Sequence, residues 1–411
     1  MTGGADVSLT PPWVRLSILF LTVFVDLVGF GIVLPLLPLY ADRFGASGTV
    51  VGVLVLSYSA AQLLFAPLWG RLSDRYGRRP VLIVGLLGST LSYLVFAYAG
   101  SVWVLLLSRV MAGIGGANIP VAQAYIADVT PPEHRAGNMG LIGAAFGLGF
   151  IFGPIIGGVL APVSPALPGL AAAGLCGANA LVAFFLLPES LTVRERVRQM
   201  RARRVVAGPV AAGKASGRTG RPEFRLVMAN PAFVDTLILF FVFTLAFSIL
   251  HPIFPLYASE RFGFGERGVG WLFAFLGTIS AVVQGAVVRI LVARAGEVAL
   301  IRASAVPFTA GFLVVGLASS VPTLLAGLAL LALGFGGTLP SLVSLLSRSA
   351  PDAIQGGSLG IGQSAGALAR VIGPFVSGVS WDFLGDSAPY FVAAGFGVVA
   401  GLWGFRLVRP E

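Results

Sequence analysis

Twelve times along the chain, an apolar run of at least twenty residues is closed by a short polar, Gly-rich or Pro-containing segment. As a helix rising 1.5 Å per residue, such a run crosses the roughly 30 Å hydrocarbon layer of a bilayer. Every backbone N–H and C=O in lipid must be paired internally, so the runs are read as helices and not as open strands. Their boundaries are 14–40, 48–72, 80–99, 102–127, 137–161 and 168–187, then 231–259, 268–294, 298–318, 322–347, 355–380 and 387–408. Composition agrees, with 56% apolar and only 11% charged residues and a mean hydropathy of +0.92. A soluble domain carries about 25% charged residues, and a disordered chain is polar, so both classes are excluded. The expected fold class is an all-α integral membrane protein with twelve transmembrane helices.

The basic excess, 27 Lys plus Arg against 17 Asp plus Glu, is explained by topology. Summed over the termini and alternate loops, 22 basic residues fall on one face; Arg43, Arg261 and Arg267 fall on the other, and Arg109 and Arg370 lie inside spans. The positive-inside rule then places both termini in the cytoplasm of a multi-pass protein of the cell membrane. That orientation accounts for the charge without nucleic acid. Ten of the basic residues crowd into 188–230, a Gly-, Pro- and Ser-containing stretch read as a cytoplasmic linker between bundles at 1–187 and 231–411. The first apolar run has no basic n-region before it and no small-residue cleavage site after it, so it is read as a retained span. A lone Cys176 and two histidines give no disulfide pair and no recognisable metal set, and no cofactor is expected.

The halves repeat. Pro35-Leu36-Leu37-Pro38-Leu39-Tyr40 returns as Pro252-Ile253-Phe254-Pro255-Leu256-Tyr257, and Gly113-Ile114-Gly115-Gly116 returns as Gly334-Phe335-Gly336-Gly337. Gly153-Pro154 with Gly158 returns as Gly373-Pro374 with Gly378, and the offset stays between 217 and 221 throughout. A six-plus-six parallel repeat implies two bundles facing one another across a central site, the architecture of alternating access.

Between spans 2 and 3 lies Gly70-Arg71-Leu72-Ser73-Asp74-Arg75-Tyr76-Gly77-Arg78-Arg79. Gly70 there permits close helix approach, and Asp74 is suited to a helix N-terminus. The loop resembles the signature loop of the major facilitator superfamily. Span 1 reads Asp26-Leu27-Val28-Gly29-Phe30-Gly31, span 4 runs from Arg109 to Asp128, and span 5 carries Gly149, Gly153, Pro154, Gly157 and Gly158. These are similar to motifs of its drug/H+ antiporter branch, the last to the antiporter motif, although small-residue spacing also serves plain helix packing. The resemblance covers nearly the whole chain and is nearest the tetracycline-exporter-like group. It implies the major facilitator fold and a cytoplasmic gate of Gly70, Asp74, Arg75, Gly77, Arg78, Arg79 and Asp128, with Arg135 nearby. Where tetracycline exporters have acidic residues in spans 3 and 9 and a histidine in span 8, this chain aligns Ser92, Phe308 and Ser280, so tetracycline itself is not implied as cargo.

A carboxylate near a span centre costs on the order of 2.5–3.5 kcal/mol on insertion scales, which singles out Asp26. Arg109 is the expected neighbour, differing in depth by roughly 3–11 Å at 1.5 Å per residue. The pair is read either as a proton-coupling device, in which Asp26 exchanges a proton as the cation moves, or as a static ion pair. His251, standing where the repeat has Leu34, is a second protonatable group or simply a hydrogen-bonded one. Gln62, Asn118, Gln123, Gln284, Gln363 and Arg370 are the expected substrate-cavity residues. For Arg370, an anionic substrate group and a carboxylate such as Asp235 stand as equal alternatives. Phe240, Phe241, Phe243 and Phe247 line a cavity or face lipid. Gly362-Gln363-Ser364-Ala365-Gly366 matches a hydrolase elbow but sits in a helical pattern without its strand or His partner.

The expected activity is therefore proton-coupled export of a lipophilic or amphipathic small molecule, with protons, substrate and the lipid bilayer as partners and a monomer as the working unit. An uptake symporter or metabolite exporter on the same fold, and a non-transporting receptor, are the alternatives. No catalytic constellation points to an enzyme.

Overall fold

The computed structural model describes residues 12–116, 118–190, 227–349 and 355–407. Most of the basic linker and the side chain of Arg135 therefore lie outside the described residues. The first half comprises α1 (Pro12–Val33), α2 (Leu36–Asp42), α3 (Gly48–Tyr76), α4 (Arg78–Ala97), α5 (Val102–Gly115), α6 (Ile119–Val129), α7 (Pro132–Leu160) and α8 (Leu167–Leu186). The second comprises α9 (Pro231–Phe262), α10 (Glu266–Val282), α11 (Val288–Ala295), α12 (Glu297–Gly316), α13 (Val321–Arg348), α14 (Gln355–Leu384) and α15 (Ala388–Trp403). Eleven of the spans are long and apolar enough to cross a membrane by themselves, and α14 is the twelfth helix of the bundle. The fold is all-α, with twelve transmembrane helices.

Three spans are less regular than their apolar runs. Span 1 breaks between α1 and α2, where Pro35 and Pro38 remove backbone donors. Its repeat, α9, holds Pro252 and Pro255 without interruption. Span 4 breaks between α5 and α6, around Gly115-Gly116 and Pro120. Span 8 carries a π-helical turn, Val283–Val287, between α10 and α11, a type of bulge common at functional sites.

The outside of the bundle is apolar: Leu64, Trp103, Phe185 and Leu402 are each at least 67% exposed. In water such side chains would drive aggregation; in lipid they are solvated. Between the halves, α3 meets α14 and α7 meets α10. At the end carrying the 43–47 and 263–265 turns these contacts are backbone-close. A Cβ on Gly52 would strike the Pro374 carbonyl, one on Gly378 the Gly48 carbonyl, and one on Gly158 would lie 3.1 Å from Gly270 Cα. Two polar links cross the same end. Asp382 accepts the backbone N–H groups of Gly48 at 2.7 Å and Thr49 at 2.8 Å, and Arg43 pairs with Glu266. Toward the opposite end, Gly70, Gly140, Gly143, Gly285 and Gly360 have no atom within 4 Å of where a Cβ would stand. The backbone-close crossings between the halves thus lie toward one end.

The span 5 glycines pack span 5 closely against span 1. Cβ atoms on Gly149, Gly153 and Gly157 would lie 2.8, 2.6 and 2.6 Å from Leu27, Gly31 and Ile32 of α1. Pro154 deprives the Phe150 carbonyl of its intrahelical donor, and that oxygen emerges opposite Gly277 of α10, 3.0 Å from its Cβ position.

Candidate functional site

Asp26 lies in the middle of α1, and its carboxylate faces the Ser89 hydroxyl of α4. Arg109, only 2% exposed, is elsewhere. Its guanidinium stands over the Phe96 ring at 5.2 Å, Nε reaches the Ser108 hydroxyl at 3.4 Å, and Nη2 is buried without an acceptor. The expected Asp26–Arg109 ion pair is therefore not formed in this conformation. Tyr58 and Tyr93 lie within electrostatic range of both charges, and Phe96 offers the cation a π-face. The two charges share one buried cluster without neutralising one another.

Tyr58 is the hub of that cluster and was not singled out by sequence. The signal available was its spacing from Gln62, four residues on, which puts both on one face of α3. Gln62 donates to Tyr58 Oη at 3.4 Å and to the Gly116 carbonyl at 3.0 Å, so it serves the break in span 4. Asn118, on the far side of that break, is buried against Gly85 with both amide atoms unpaired. Among the described residues Gln123, Gln284 and Gln363 make no hydrogen bond; Gln284 lies on the π-turn, and Gln284 and Gln363 are exposed.

The second half brings Arg370 to the cluster. It sits at the middle of α14 and within electrostatic range of Tyr58 across the interface. The alternative partner, Asp235, instead accepts the Trp403 indole N–H at 3.1 Å. His251 is enclosed by Phe247, Phe273 and Phe150, with ring centroids at 5.0, 6.1 and 6.3 Å. No carboxylate among the described residues approaches it, so it is separate from Asp26 and Arg109. Phe240 and Phe243 are buried, and Phe247 stacks on Phe335 at 3.6 Å; these rings point inward, not to lipid. Tyr58, Phe30, Phe150, His251, Phe247 and Phe335 form an unbroken series of ring contacts across both halves.

In the 2–3 loop, Gly77 adopts φ 112° as it ends α3 and starts α4, a conformation that favours glycine. Arg78 is 7% exposed and binds Asp74 at 2.7 Å, Asp128 at 3.1 Å and the Ser73 hydroxyl at 2.6 Å. Two expectations change here. Asp74 caps no helix start; the carboxylate at the α4 N-terminus belongs to Glu189, which accepts the Arg78 backbone N–H at 2.8 Å. Gly70 makes no close helix contact. Arg79 reaches the Phe184 carbonyl, and Arg75 lies over Tyr76 at 5.3 Å. Gly362–Gly366 lies inside α14, with the Ser364 hydroxyl bonded back to the Gly360 carbonyl at 3.0 Å. That is no nucleophile elbow.

Comparison with known proteins accords with this arrangement. The family model of the Major Facilitator Superfamily matches residues 19–374. The chain is 34% identical over 358 residues to "Tetracycline resistance protein, class C" of Escherichia coli, covering 86% of each chain. It is 29% identical over 398 residues to "Multidrug resistance protein 2" of Bacillus subtilis (strain 168), covering 96% of this chain and 94% of that one. The crystal structure of the human organic anion transporter MFSD10 (TETRAN) superposes with a TM-score of 0.69 at 27% identity, over 96% of this chain and all of that one. With a twelve-helix repeat, a cross-half polar cluster and these relatives, the chain belongs to the Major Facilitator Superfamily.

Proposed function

We propose that the protein is a proton-coupled exporter that moves amphipathic small molecules out of the cell by alternating access. The observation that carries this reading is the placement of Asp26, Arg109 and Arg370 around Tyr58, between halves whose backbone-close crossings lie toward one end. Charge inside a membrane is retained where it serves a substrate or ion path. Asp26 and Arg109 are close enough to influence the same tyrosines yet unpaired, so a modest helix shift alters the field at the carboxylate. Protonation of Asp26 and occupancy by substrate then exclude one another, and inward proton flow drives export.

The relatives' names, tetracycline resistance and multidrug resistance among them, support a drug-like cargo class. Tetracycline itself is not assigned. Ser92 is spent on the Ser89 carbonyl at 2.7 Å, and Phe308 is buried between Phe243 and Phe312. In the orientation the loop charges favour, both termini are cytoplasmic and the joined end faces outward, so the cytoplasmic end is the one at which an exporter loads. The Arg78 network and Gly70 then form the cytoplasmic gate, Gly149 to Gly158 bind span 5 to span 1 and span 8, and the protein works as a monomer.

Purified protein in proteoliposomes tests the reading. A pH gradient, acid on the side that corresponds to the cell exterior, drives a fluorescent amphipathic probe toward the acid side. Movement with the proton instead of against it would establish symport, and saturable binding without flux would establish a receptor.

A further inference from the structure

Of the two mid-span cations, Arg109 and Arg370, neither has an ion pair among the described residues, and Arg370 is the one the second half contributes. Pro374 lies four residues beyond it and frees the Arg370 carbonyl from its helical bond, so α14 is weakened where this side chain leaves it. Gly366, one turn earlier, provides the room: a Cβ there would lie 3.4 Å from Arg370 Nη1 and 2.9 Å from the Phe240 ring. The guanidinium therefore lies back along its own helix beside an aromatic edge. Among the described residues it has no hydrogen bond and no ion pair, and Tyr58 is the group it senses.

Five of the described carboxylates of the second half are engaged elsewhere, Glu266 with Arg43 among them. Asp235 holds the Trp403 indole, Glu297 holds Ser344 and Arg348, Asp382 holds the start of α3 and Asp386 holds Arg261. In the first half Asp26 faces Ser89. A guanidinium is a planar fork that matches a carboxylate or a similar oxyanion with two parallel hydrogen bonds. The stacked Phe247–Phe335 pair and the Tyr58–Phe30 pair supply apolar faces from opposite halves.

We propose that Arg370 anchors an acidic group of the substrate, so that the cargo class includes amphipathic aromatic anions whose ring system rests on the cross-half aromatic series. The assignment rests on the transport reading for its physiological meaning, but binding tests it separately. The probes are pyrenebutyrate and its uncharged methyl ester, with binding to the protein in nanodiscs read by tryptophan quenching at neutral pH and empty nanodiscs as the blank.

The wild type binds the acid at least about tenfold more tightly than the ester, the scale of one charge-assisted hydrogen bond. Arg370→Gln brings the ratio near one. Arg370→Lys keeps part of the preference, because the ammonium retains charge without the fork. In the wild type, the acid at a given concentration raises the melting temperature more than the ester does, a readout independent of how any variant folds. Equal affinities in the wild type, or a preference that survives in Arg370→Gln, would overturn the assignment. So would equal weakening of both probes in that variant, which would mark Arg370 as a conformational or structural residue. Selective binding of the acid with no pH-driven movement of either probe contradicts the export reading and leaves the anion site standing.

Discussion

Arg348 holds Glu297 at 3.4 Å, and this ion pair is the charge-reversed copy of the Arg78–Asp128 pair at 3.1 Å. Glu297 follows Gly296 as Arg78 follows Gly77, and both glycines have positive φ, 83° and 112°. Duplication has thus preserved an ion-pair position at the matching turn of each half while exchanging its signs. The electrostatic weights are not equal. Arg78 and Asp128 side chains are 8% and 11% exposed, whereas Arg348 is 58% exposed.

The first prediction follows from that asymmetry. Removing one member of a buried pair leaves an uncompensated charge and costs about 3–5 kcal/mol, whereas an exposed pair is worth about 0–1 kcal/mol. Arg78→Ala should therefore lower thermal stability in detergent markedly, and Arg348→Ala barely. Similar losses in the two variants would show that the Arg78 network does not hold the loop.

The span 5 contacts give a second. Gly153→Val places a branched side chain where even a Cβ would stand 2.6 Å from Gly31, an overpacking that costs typically 1–3 kcal/mol or more. Gly140, with no atom within 4 Å of its Cβ position, accepts Ala without loss. Folded yield after size-exclusion chromatography compares them, and equal yields would contradict the described crossing of spans 1 and 5.

A third concerns the joined end. Asp382 caps the start of α3 from the opposite half, and loss of a capping side chain costs about 0.5–2 kcal/mol. Asp382→Ala should shift the conformational balance toward opening of this end by up to about thirtyfold, with Asp382→Asn intermediate because one acceptor oxygen remains. Spin-label distances across Gly45 and Asp386, in a Cys176→Ser background, read the shift. An unchanged distance distribution would show that Asp382 does not hold this end together.

Much of this is legible in the sequence alone. Membrane-length apolar runs have few folded solutions, and the repeated Pro and Gly positions carried the two-half architecture, since small residues and prolines mark where backbones approach or bend. Asp26 and Arg109 stood out because charge in lipid is costly. Their separation did not, because the partners they take instead, Ser89 for Asp26 and Phe96 for Arg109, are residues ordinary in an apolar helix. Glu189 was equally hidden: an acidic residue after a span reads as loop until the fold brings it to the start of α4. The breaks in spans 1 and 4 were foreshadowed by Pro35, Pro38 and Gly115-Gly116, whereas the π-turn at Val283–Val287 has no local signal in residue type.

The central claim is that Asp26 carries the coupling proton, and Asp26→Asn in proteoliposomes tests it most directly. The amide is nearly isosteric and cannot ionise. The account predicts that pH-gradient-driven accumulation of an amphipathic probe is abolished, while probe binding and probe-for-probe exchange at equal pH persist. Full gradient-driven accumulation by Asp26→Asn would contradict it.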